Sequence, residues 1–359
     1  MRIERARAIA AKEFKHLLRD PFTLALALGL PLVLLLFFGF VIDLNYDRIP
    51  LSVRDRDNSR LSRDFAQKFT SSGYFARIEP ESGASPVQPL DSGEAVCSLV
   101  INERFGRRGG GAQMLVDGSD NARAGAALGY IAQITEAAST APEGAPQIRT
   151  RFMFNPEFNS RWFVVPGLAV VIIGVLSVLL TALTVAREWE RGSMELLLST
   201  PARPSEIVAG KLAPYFLLGL AGAAAVYAAG RLVFSVPAAG DMAVYWLACA
   251  MFVTAALAQG LLISVLTRQQ QIAMQFAMVS GLLPAFLLSG FIFPVENMPL
   301  FFKYLTAILP PRWFMEISRG IFLKGGGLAG AAGPLCALAA LDAVLITLAT
   351  LKFKTDVEP

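Results

Sequence analysis

The stretch AREWERGSMELLLSTPARPSEIVAGK, residues 186–211, concentrates charged side chains between two long apolar segments, 162–186 and 212–234. A helix needs about 20 apolar residues to cross the hydrocarbon core of a membrane. Each flanking segment is long enough to do so. The quoted stretch therefore predicts a compact charged connection between two membrane spans.

The chain as a whole is strongly apolar. Hydrophobic residues make up 54% of its 359 positions, charged residues make up 17%, and the mean hydropathy is +0.52. Soluble domains carry about 25% charged residues, so this balance indicates a membrane protein that crosses the bilayer several times. Six segments are long and apolar enough to span: 22–42, 162–186, 212–234, 243–266, 272–293 and 328–351.

Several functional classes are excluded by what the sequence lacks. Its three cysteines are far apart and it has one histidine, so no catalytic, cofactor-binding or metal-ligating set can be assembled from these residue types. A net charge of +4 without a long basic run makes nucleic acid an unsuitable partner. No GxxxxGK[ST] motif occurs, so we expect the chain not to be an ATPase or another enzyme.

Basic residues near the span ends predict orientation, because cytosolic loops are enriched in Lys and Arg. Residues 1–20 and the 187–211 loop are both basic, which places the N-terminus, that loop and the C-terminus in the cytosol. Arg231 is an exception to this rule, and a group of four basic residues on the other side counts against the assignment: Lys303, Arg312, Arg319 and Lys324.

Residues 1–20 have the pattern of an amphipathic helix. Apolar side chains recur at steps of three and four residues, with basic side chains between them, which is typical of a helix lying at the membrane interface. The apolar stripe consists of Ile3, Ala6, Ala10, Phe14 and Leu17.

Residues 43–160 differ in character from the apolar segments. Strand patterns at 50–57, 95–105 and 112–118 alternate with helix patterns at 58–73 and 121–139. We expect a small extracytoplasmic α/β domain here, and no spacing of its carboxylates singles out a catalytic pair.

The charged stretch itself predicts a helical hairpin. At 100° per residue Glu188, Arg191 and Glu195 fall on one helix face. Pro201 interrupts the helix, and Pro204 suits the first turn of another. From the residues alone, a solvated loop is the default explanation of these charges, and a docking surface is the alternative.

Three polar side chains lie inside the predicted spans. Asp342 is near the middle of the last span, where a carboxylate costs about 2.5–3.5 kcal/mol on insertion scales. A functional role and a structural pairing are both open for it. Gln259 and Gln275 are better suited to hydrogen bonds between helices than to binding a substrate.

The charged stretch resembles the conserved stretch of ABC-2 type transporter permeases. The pattern is RE-x-E-x-G-[ST]-x-E-x-L-x-x-[ST]-P, followed by E-I-x-x-G-K. Further resemblances lie at 12–21, 53–65, 116–125, 289–299 and 309–325, so nearly the whole chain is covered. In the charged stretch the matching positions are Arg187, Glu188, Glu190, Gly192, Ser193, Glu195, Leu197, Thr200, Pro201, Glu206, Ile207, Gly210 and Lys211.

This resemblance implies a function and its partners. It implies a permease in the bacterial inner membrane that forms half of a dimer, with itself or with a paralogous permease, and that works with two copies of a separate ATP-binding subunit. The charged hairpin would then couple ATP-driven movement to the spans. Its expected coupling residues are Arg187, Glu188, Glu190, Arg191, Gly192, Glu195, Pro201, Glu206 and Lys211.

We therefore predict an all-α polytopic membrane bundle of six transmembrane helices with an inserted extracytoplasmic α/β domain. It would export hydrophobic or amphiphilic compounds, contact membrane lipid and offer a domain large enough to bind a periplasmic adaptor. The alternatives are a sensor with an extracytoplasmic ligand-binding domain and a membrane-embedded enzyme. The first predicted parts are an interfacial helix (1–20), a first span (22–42) and the α/β domain (43–160). A five-helix region (162–351) follows, and it contains hairpin 187–211 and an external re-entrant segment (294–325). The last predicted part is a cytosolic tail (352–359).

Overall fold

The computed structural model describes residues 3–42, 48–79, 85–105, 111–117, 121–138 and 160–353. The chain divides into two compact units. One combines Met1–Asp43 with Glu157–Pro359, and the other is Leu44–Pro156. The first unit is a helical bundle and the second contains a small sheet. Residues 354–359, most of the predicted tail, lie outside the described part.

Five helices of the bundle are long and apolar enough to cross a membrane. All five match predicted spans, with ends that differ by up to eight residues. The helix that matches the predicted span 272–293 continues through a π-helical turn, Pro284–Leu288. The α-helices are α7 (Ser160–Glu190), α9 (Pro204–Leu232), α10 (Met242–Thr267), α11 (Gln270–Leu283) and α14 (Leu328–Lys352).

Helix α7 lies at the centre of this unit. Most of its apolar residues from Val164 to Ala186 are buried, as expected for a helix surrounded by others, and Val175, Leu179 and Leu183 form a half-buried stripe. Helix α10 packs along it, and Gly260 permits close contact because a Cβ there would lie 2.1 Å from the carbonyl oxygen of Val178. In contrast, α9, α11 and α14 bury less than a third of their most apolar windows and present apolar surface outward.

The first predicted span is helical but not a continuous α-helix. It consists of α2 (Pro21–Leu24), a π-helical stretch (Ala25–Gly29) and α3 (Leu30–Val41). The π-helical stretch changes the local hydrogen bonds from i→i−4 to i→i−5, as the turn Pro284–Leu288 does. Among the described residues, five helices have span length rather than the six expected, and the apolar helical segment Ala25–Val41 is shorter.

Residues after α11 are broken into short elements. Gly290 takes a φ of +89°, a 3-10 turn covers Val295–Asn297, and α12 (Leu300–Ala307) and α13 (Pro310–Lys324) follow. The guanidinium of Arg319 on α13 donates to the carbonyl oxygens of Gly290 and Phe291, at 2.7 and 3.0 Å, and lies over the ring of Phe163. Arg319 thus ties this segment to the start of α7.

The second unit contains a four-stranded sheet in the order β2-β1-β3-β4. Strand β1 is parallel to β2 and β3, and β4 is antiparallel to β3. Strand β2 was missed from the sequence because four residues are too few for a period to show. The strands are β1 (Ile49–Asp55), β2 (Phe75–Ile78), β3 (Cys97–Ile101) and β4 (Ala112–Val116).

Helices α4 (Arg60–Ser71) and α6 (Asn121–Ala138) accompany the sheet, with a single turn α5 (Gln88–Asp91). Asp55 ends β1 and accepts hydrogen bonds from the backbone N–H groups of Asp57 and Asn58 and from the hydroxyl of Ser62. Ser59 caps α4 by accepting from Ser62 N–H. These carboxylate and hydroxyl groups shape a turn and a helix start, as turn chemistry predicts.

Candidate functional site

The charged stretch is built from the ends of two long helices and one short helix. Helix α7 continues to Glu190, Gly192 takes a φ of +68°, and α8 covers Ser193–Leu198. After Pro201, the N–H of Arg203 donates to the carboxylate of Glu206 at 3.1 Å. This contact caps the start of α9, which then continues into the bundle without a break.

One detail of the predicted hairpin is therefore wrong. Glu188, Arg191 and Glu195 do not lie on one continuous helix, because the left-handed conformation of Gly192 ends α7 and redirects α8. Glycine adopts this conformation without the steric cost that a Cβ imposes. The predicted start of a second helix at Pro204 is confirmed, and that helix continues as α9 into the bundle.

A buried lysine lies at the centre of the site. The side chain of Lys211, only 1% exposed, places its Nζ 2.6 Å from Glu188 Oε2 and 3.1 Å from Glu13 Oε1. Lys12 Nζ contacts the other oxygen of Glu188 at 3.0 Å. Burying an ammonium group is costly unless it is paired and hydrogen-bonded, and two carboxylates meet that requirement here.

These ion pairs join three elements that are far apart in sequence. Glu13 and Lys12 belong to α1 (Ile3–Leu18), Glu188 belongs to the end of α7, and Lys211 belongs to α9. The contact between Lys211 and Glu13 spans 198 positions of the chain. The site is therefore an ionic junction between the N-terminal helix, the charged stretch and a long apolar helix.

Close backbone packing supports the junction. A Cβ added at Gly210 would lie 2.8 Å from the carbonyl oxygen of Ala6 and 2.8 Å from Cβ of Ile9. Helix α1 can thus approach α9 only because residue 210 is glycine. Ala6, Glu13 and Leu17 are buried on this face of α1, whereas Ile3 and Phe14 of the predicted apolar stripe are exposed.

Further contacts fix the charged stretch on both sides. Arg5 of α1 donates to the carbonyl oxygen of Pro201 and lies 3.9 Å from the carboxylate of Glu206. Arg187 lies 3.7 Å from Asp20, which follows α1. On the opposite side, Glu190 accepts hydrogen bonds from the backbone and side-chain amides of Gln270 at the start of α11.

The predicted site residues divide into two groups. The junction includes Arg187, Glu188, Glu190, Pro201, Glu206 and Lys211 through the contacts described above. Gly192 shapes the turn, while Arg191 is exposed and forms no ion pair with any described side chain. The side chain of Glu195 lies outside the described part of the structure, so its predicted pairing with Arg191 stays a prediction.

Sequence reasoning missed the partners on α1. Glu13 carried a usable signal, since it lies seven residues after Ala6 and four before Leu17, on the apolar side of the helix pattern. A carboxylate on an apolar face requires a cation to meet it. Lys12, Asp20 and Gln270 gave no comparable signal, because their partners are set by tertiary packing.

The three polar residues inside the spans lie apart from this junction. Gln259 donates to the carbonyl oxygen and hydroxyl of Ser280, at 3.3 and 3.2 Å, and so joins α10 to α11. Gln275 is exposed on α11, so its predicted hydrogen bond to another helix stays a prediction. The Oδ1 atom of Asp342 is buried without a hydrogen-bond partner among the described residues.

Among the described residues, the junction has no set of side chains that could ligate a metal ion. Across residues 3–42 and 160–353 and the described parts of the second unit, no group of three or more His, Cys, Asp or Glu side chains could hold a metal ion. The arrangement can instead hold three elements together by charge and transmit a displacement of one to the others.

Comparison with known proteins agrees with this architecture. The family model of ABC-2 family transporter proteins matches residues 21–351, almost the entire chain. This range covers every long apolar helix, the charged stretch and the sheet unit.

Individual relatives are similar over most of their length. The probable multidrug ABC transporter permeases YbhS and YbhR of Escherichia coli K12 are 32% and 31% identical to this chain, over 89% and 88% of it and 89% of each relative. The inner membrane transport permease YhhJ of the same organism is 26% identical over 97% of the chain and 96% of its own length. The chain belongs to the ABC-2 family of transporter proteins and is a multi-pass membrane permease.

Proposed function

We propose that the chain is the transmembrane subunit of an ABC-2 type exporter that moves hydrophobic or amphiphilic compounds outward. ATP would be hydrolysed by a separate ATP-binding subunit, present in two copies. The names of the relatives YbhS and YbhR support a multidrug-type cargo. The single observation that carries the proposal is the ionic junction of Lys211, Glu13 and Glu188.

The junction gives the charged stretch a mechanical role. A partner that pushes on α8 or on the turn at Gly192 displaces Glu188 and Glu206, which are bound to α1 through Lys12 and Arg5. Lys211 passes the same displacement to α9, a helix of 29 residues. A packed helix moves as a rigid element, so closure of two ATP-binding subunits would move the spans.

We assign six spans by counting Pro21–Val41, helical throughout, with the five long helices. The proposed orientation has both termini and the charged stretch in the cytosol, where ATP is available. The sheet unit, Leu44–Pro156, would then be extracytoplasmic and accessible to a periplasmic adaptor. The proposed location is the bacterial inner membrane, in line with the relative YhhJ.

We further propose that the permease acts as a dimer. Helix α11 presents a row of large apolar side chains that the described chain leaves exposed, which suits a second permease. Escherichia coli contains two related permeases, YbhS and YbhR, so a paralogous partner is as suitable as a second copy. The exposed row consists of Ile272, Met274, Phe276, Met278, Val279, Leu282 and Leu283.

Co-purification tests the proposal. The exposed Leu196 of α8 is placed to meet a partner, whereas Leu61, which is also well exposed, lies on α4 of the sheet unit. We expect the tagged wild-type chain, extracted from native membranes in mild detergent, to bring down an ATP-binding subunit with ATPase activity. Leu196→Asp should lose most of that activity, and the matched control Leu61→Asp should keep it. Wild-type chain that brings down no ATPase would overturn the proposal.

A further inference from the structure

A cleft of about 440 Å3 opens beside the ionic junction. It lies between α1, the last turns of α7, α8 and the start of the first apolar segment. This volume lies within the range of roughly 300–1,000 Å3 typical of small-molecule sites. The junction explains why α1 is attached to the bundle, but it does not explain why this space beside it is left open.

The cleft is polar at one end and apolar at the other. Arg187, Arg191 and His16 line its charged end, and Leu26, Leu179 and Leu183 line its interior. Leu179 precedes Arg187 by eight residues on α7, a distance of about 12 Å along a helix. A ligand that fills the cleft must therefore have a polar head and an apolar tail.

The charged side chains at the mouth of the cleft determine which sign of charge the polar head of the ligand carries. Each acidic side chain at the mouth is already paired: Glu13 with Lys211, Glu188 with Lys211 and Lys12, and Asp20 with Arg187. Arg191 is exposed at the mouth and pairs with no described side chain. A cationic head would find only carboxylates that already have counter-ions, whereas an anionic head can pair with Arg191.

The position of α1 supplies a path to the cleft. Ile3, Phe14 and Leu18 are exposed on α1 and form an apolar strip beside basic residues. Helices of this type lie in the membrane interface and attract anionic lipid headgroups. An amphiphile held at that interface would have its tail at the depth of the apolar leucines and its head at the level of Arg191.

We propose that this cleft is a binding site for an amphiphile with an anionic, phosphate-like head and a single alkyl tail. The tail packs on Leu26, Leu179 and Leu183, and the head pairs with Arg191. Whether the bound molecule is the exported cargo rests on the proposed function. Binding itself concerns the permease alone and is measured without ATP or an ATP-binding subunit.

Dodecyl phosphate is a suitable probe, and dodecyltrimethylammonium is its control, with the same tail and the opposite charge. Equilibrium binding of each radiolabelled compound is measured on the purified full chain in phosphatidylcholine nanodiscs, with empty nanodiscs subtracted. We expect saturable binding of dodecyl phosphate and none above background for dodecyltrimethylammonium. Equal saturable binding of both would overturn the proposal.

Two variants locate the site, each with a matched control. Leu183→Trp fills the apolar interior, and Leu217→Trp places the same bulk on an exposed position of α9 outside the cleft. Arg191→Glu reverses the charge at the mouth of the cleft, and Lys15→Glu reverses a charge on the exposed side of α1. We expect both cleft variants to weaken dodecyl phosphate binding by about tenfold or more, equivalent to about 1.4 kcal/mol.

Because Arg191 is a surface side chain, its variant keeps the test valid if Leu183→Trp fails to fold. Wild-type affinity in folded Arg191→Glu protein would contradict the proposal. Replacing part of the phosphatidylcholine by lysophosphatidylglycerol, an anionic membrane lipid with a single chain, then identifies the natural source of the ligand. Competition supports an anionic membrane lipid, and unchanged binding supports a free amphiphile, both within the proposed ligand class.

If the permease binds the probe but brings down no ATPase, the export proposal fails and the site stands. If the ATPase is present and the probe does not bind, the site fails and the export proposal stands.

Discussion

Lys211 is the residue on which the account depends most. Its ammonium group is buried, and its two carboxylate partners are contributed by helices other than its own. A buried charge that loses its partner costs several kcal/mol, more than the pair itself gains relative to an apolar replacement. The junction therefore specifies how three elements meet, and its stability depends on all the charges being present together.

Replacing Lys211 with methionine keeps the length of the side chain and removes the charge. We expect Lys211→Met to lower the free energy of unfolding by about 3–5 kcal/mol, because Glu13 is left buried without a cation. Thermal unfolding of the purified chain in detergent measures this. Lys15→Met removes an exposed charge from α1 and should leave stability unchanged.

A second substitution tests whether the lost stability comes from the uncompensated charge of Glu13 or from the altered shape of residue 211. Adding Glu13→Gln to Lys211→Met removes the stranded carboxylate and should restore part of the lost stability, as expected for two residues in direct contact. Equal thermal stability of Lys211→Met and Lys15→Met would show that the buried ion pairs do not hold the junction.

At the scale of elements, the contact between α1 and α9 depends on one glycine. A methyl group at Gly210 would meet the backbone of Ala6 at 2.8 Å, closer than a carbon and an oxygen can approach without a shift. We expect Gly210→Ala to destabilise the chain by about 1–3 kcal/mol, the usual cost of overpacking. Chemical denaturation in detergent, followed by tryptophan fluorescence, measures the change.

The control for this prediction is another helical glycine. Gly330 lies in α14, and a Cβ there meets no atom within 4 Å. Gly330→Ala should leave stability unchanged or raise it by up to about 1 kcal/mol through helix propensity. If Gly210→Ala behaved like Gly330→Ala, the close contact between α1 and α9 would not exist.

Elements differ in how far the sequence predicts them. The five long helices, three of the four strands and the helices α4 and α6 follow from apolar periodicity and turn residues. The break at Gly192 does not, because glycine occurs within helices as well as at their ends. Similarly, the π-helical stretch Ala25–Gly29 has no period of its own that would distinguish it from an α-helix.

The junction shows the same limit for a site. The family pattern identified Glu188, Glu206 and Lys211 as site residues. It did not identify their partners Lys12 and Glu13, which lie about 175–200 positions away along the chain. Contacts at that separation are decided by how helices pack. Of these partners, only Glu13 could be expected from the sequence, because a carboxylate on the apolar face of a helix requires a cation.

For the whole molecule, the two units can be tested separately. Cys97 lies in the centre of the sheet unit, and burial raises the pKa of its thiol to about 12. The thiolate is the reactive form, so at pH 8 Cys97 should react with iodoacetamide only when the unit unfolds and its pKa returns to about 8.5. Mass spectrometry of the Cys97 peptide reports the labelled fraction.

An exposed cysteine in the same unit provides the comparison. Arg60→Cys on α4 should be alkylated rapidly in the folded protein. If Cys97 were labelled as fast as this surface cysteine under native conditions, the sheet unit would not have the buried centre described here.

The most direct test of the account is a distance measurement on the complex with its ATP-binding partner. Spin labels are attached at the exposed positions 15, 199 and 300, which report on α1, the charged stretch and α12. The labelled variants also carry Cys336→Ser, which removes the exposed native cysteine. With a non-hydrolysable ATP analogue we predict that the 15–199 distance stays constant and the 199–300 distance changes, because the ionic junction moves as one body. A change in the 15–199 distance with a constant 199–300 distance would contradict the account.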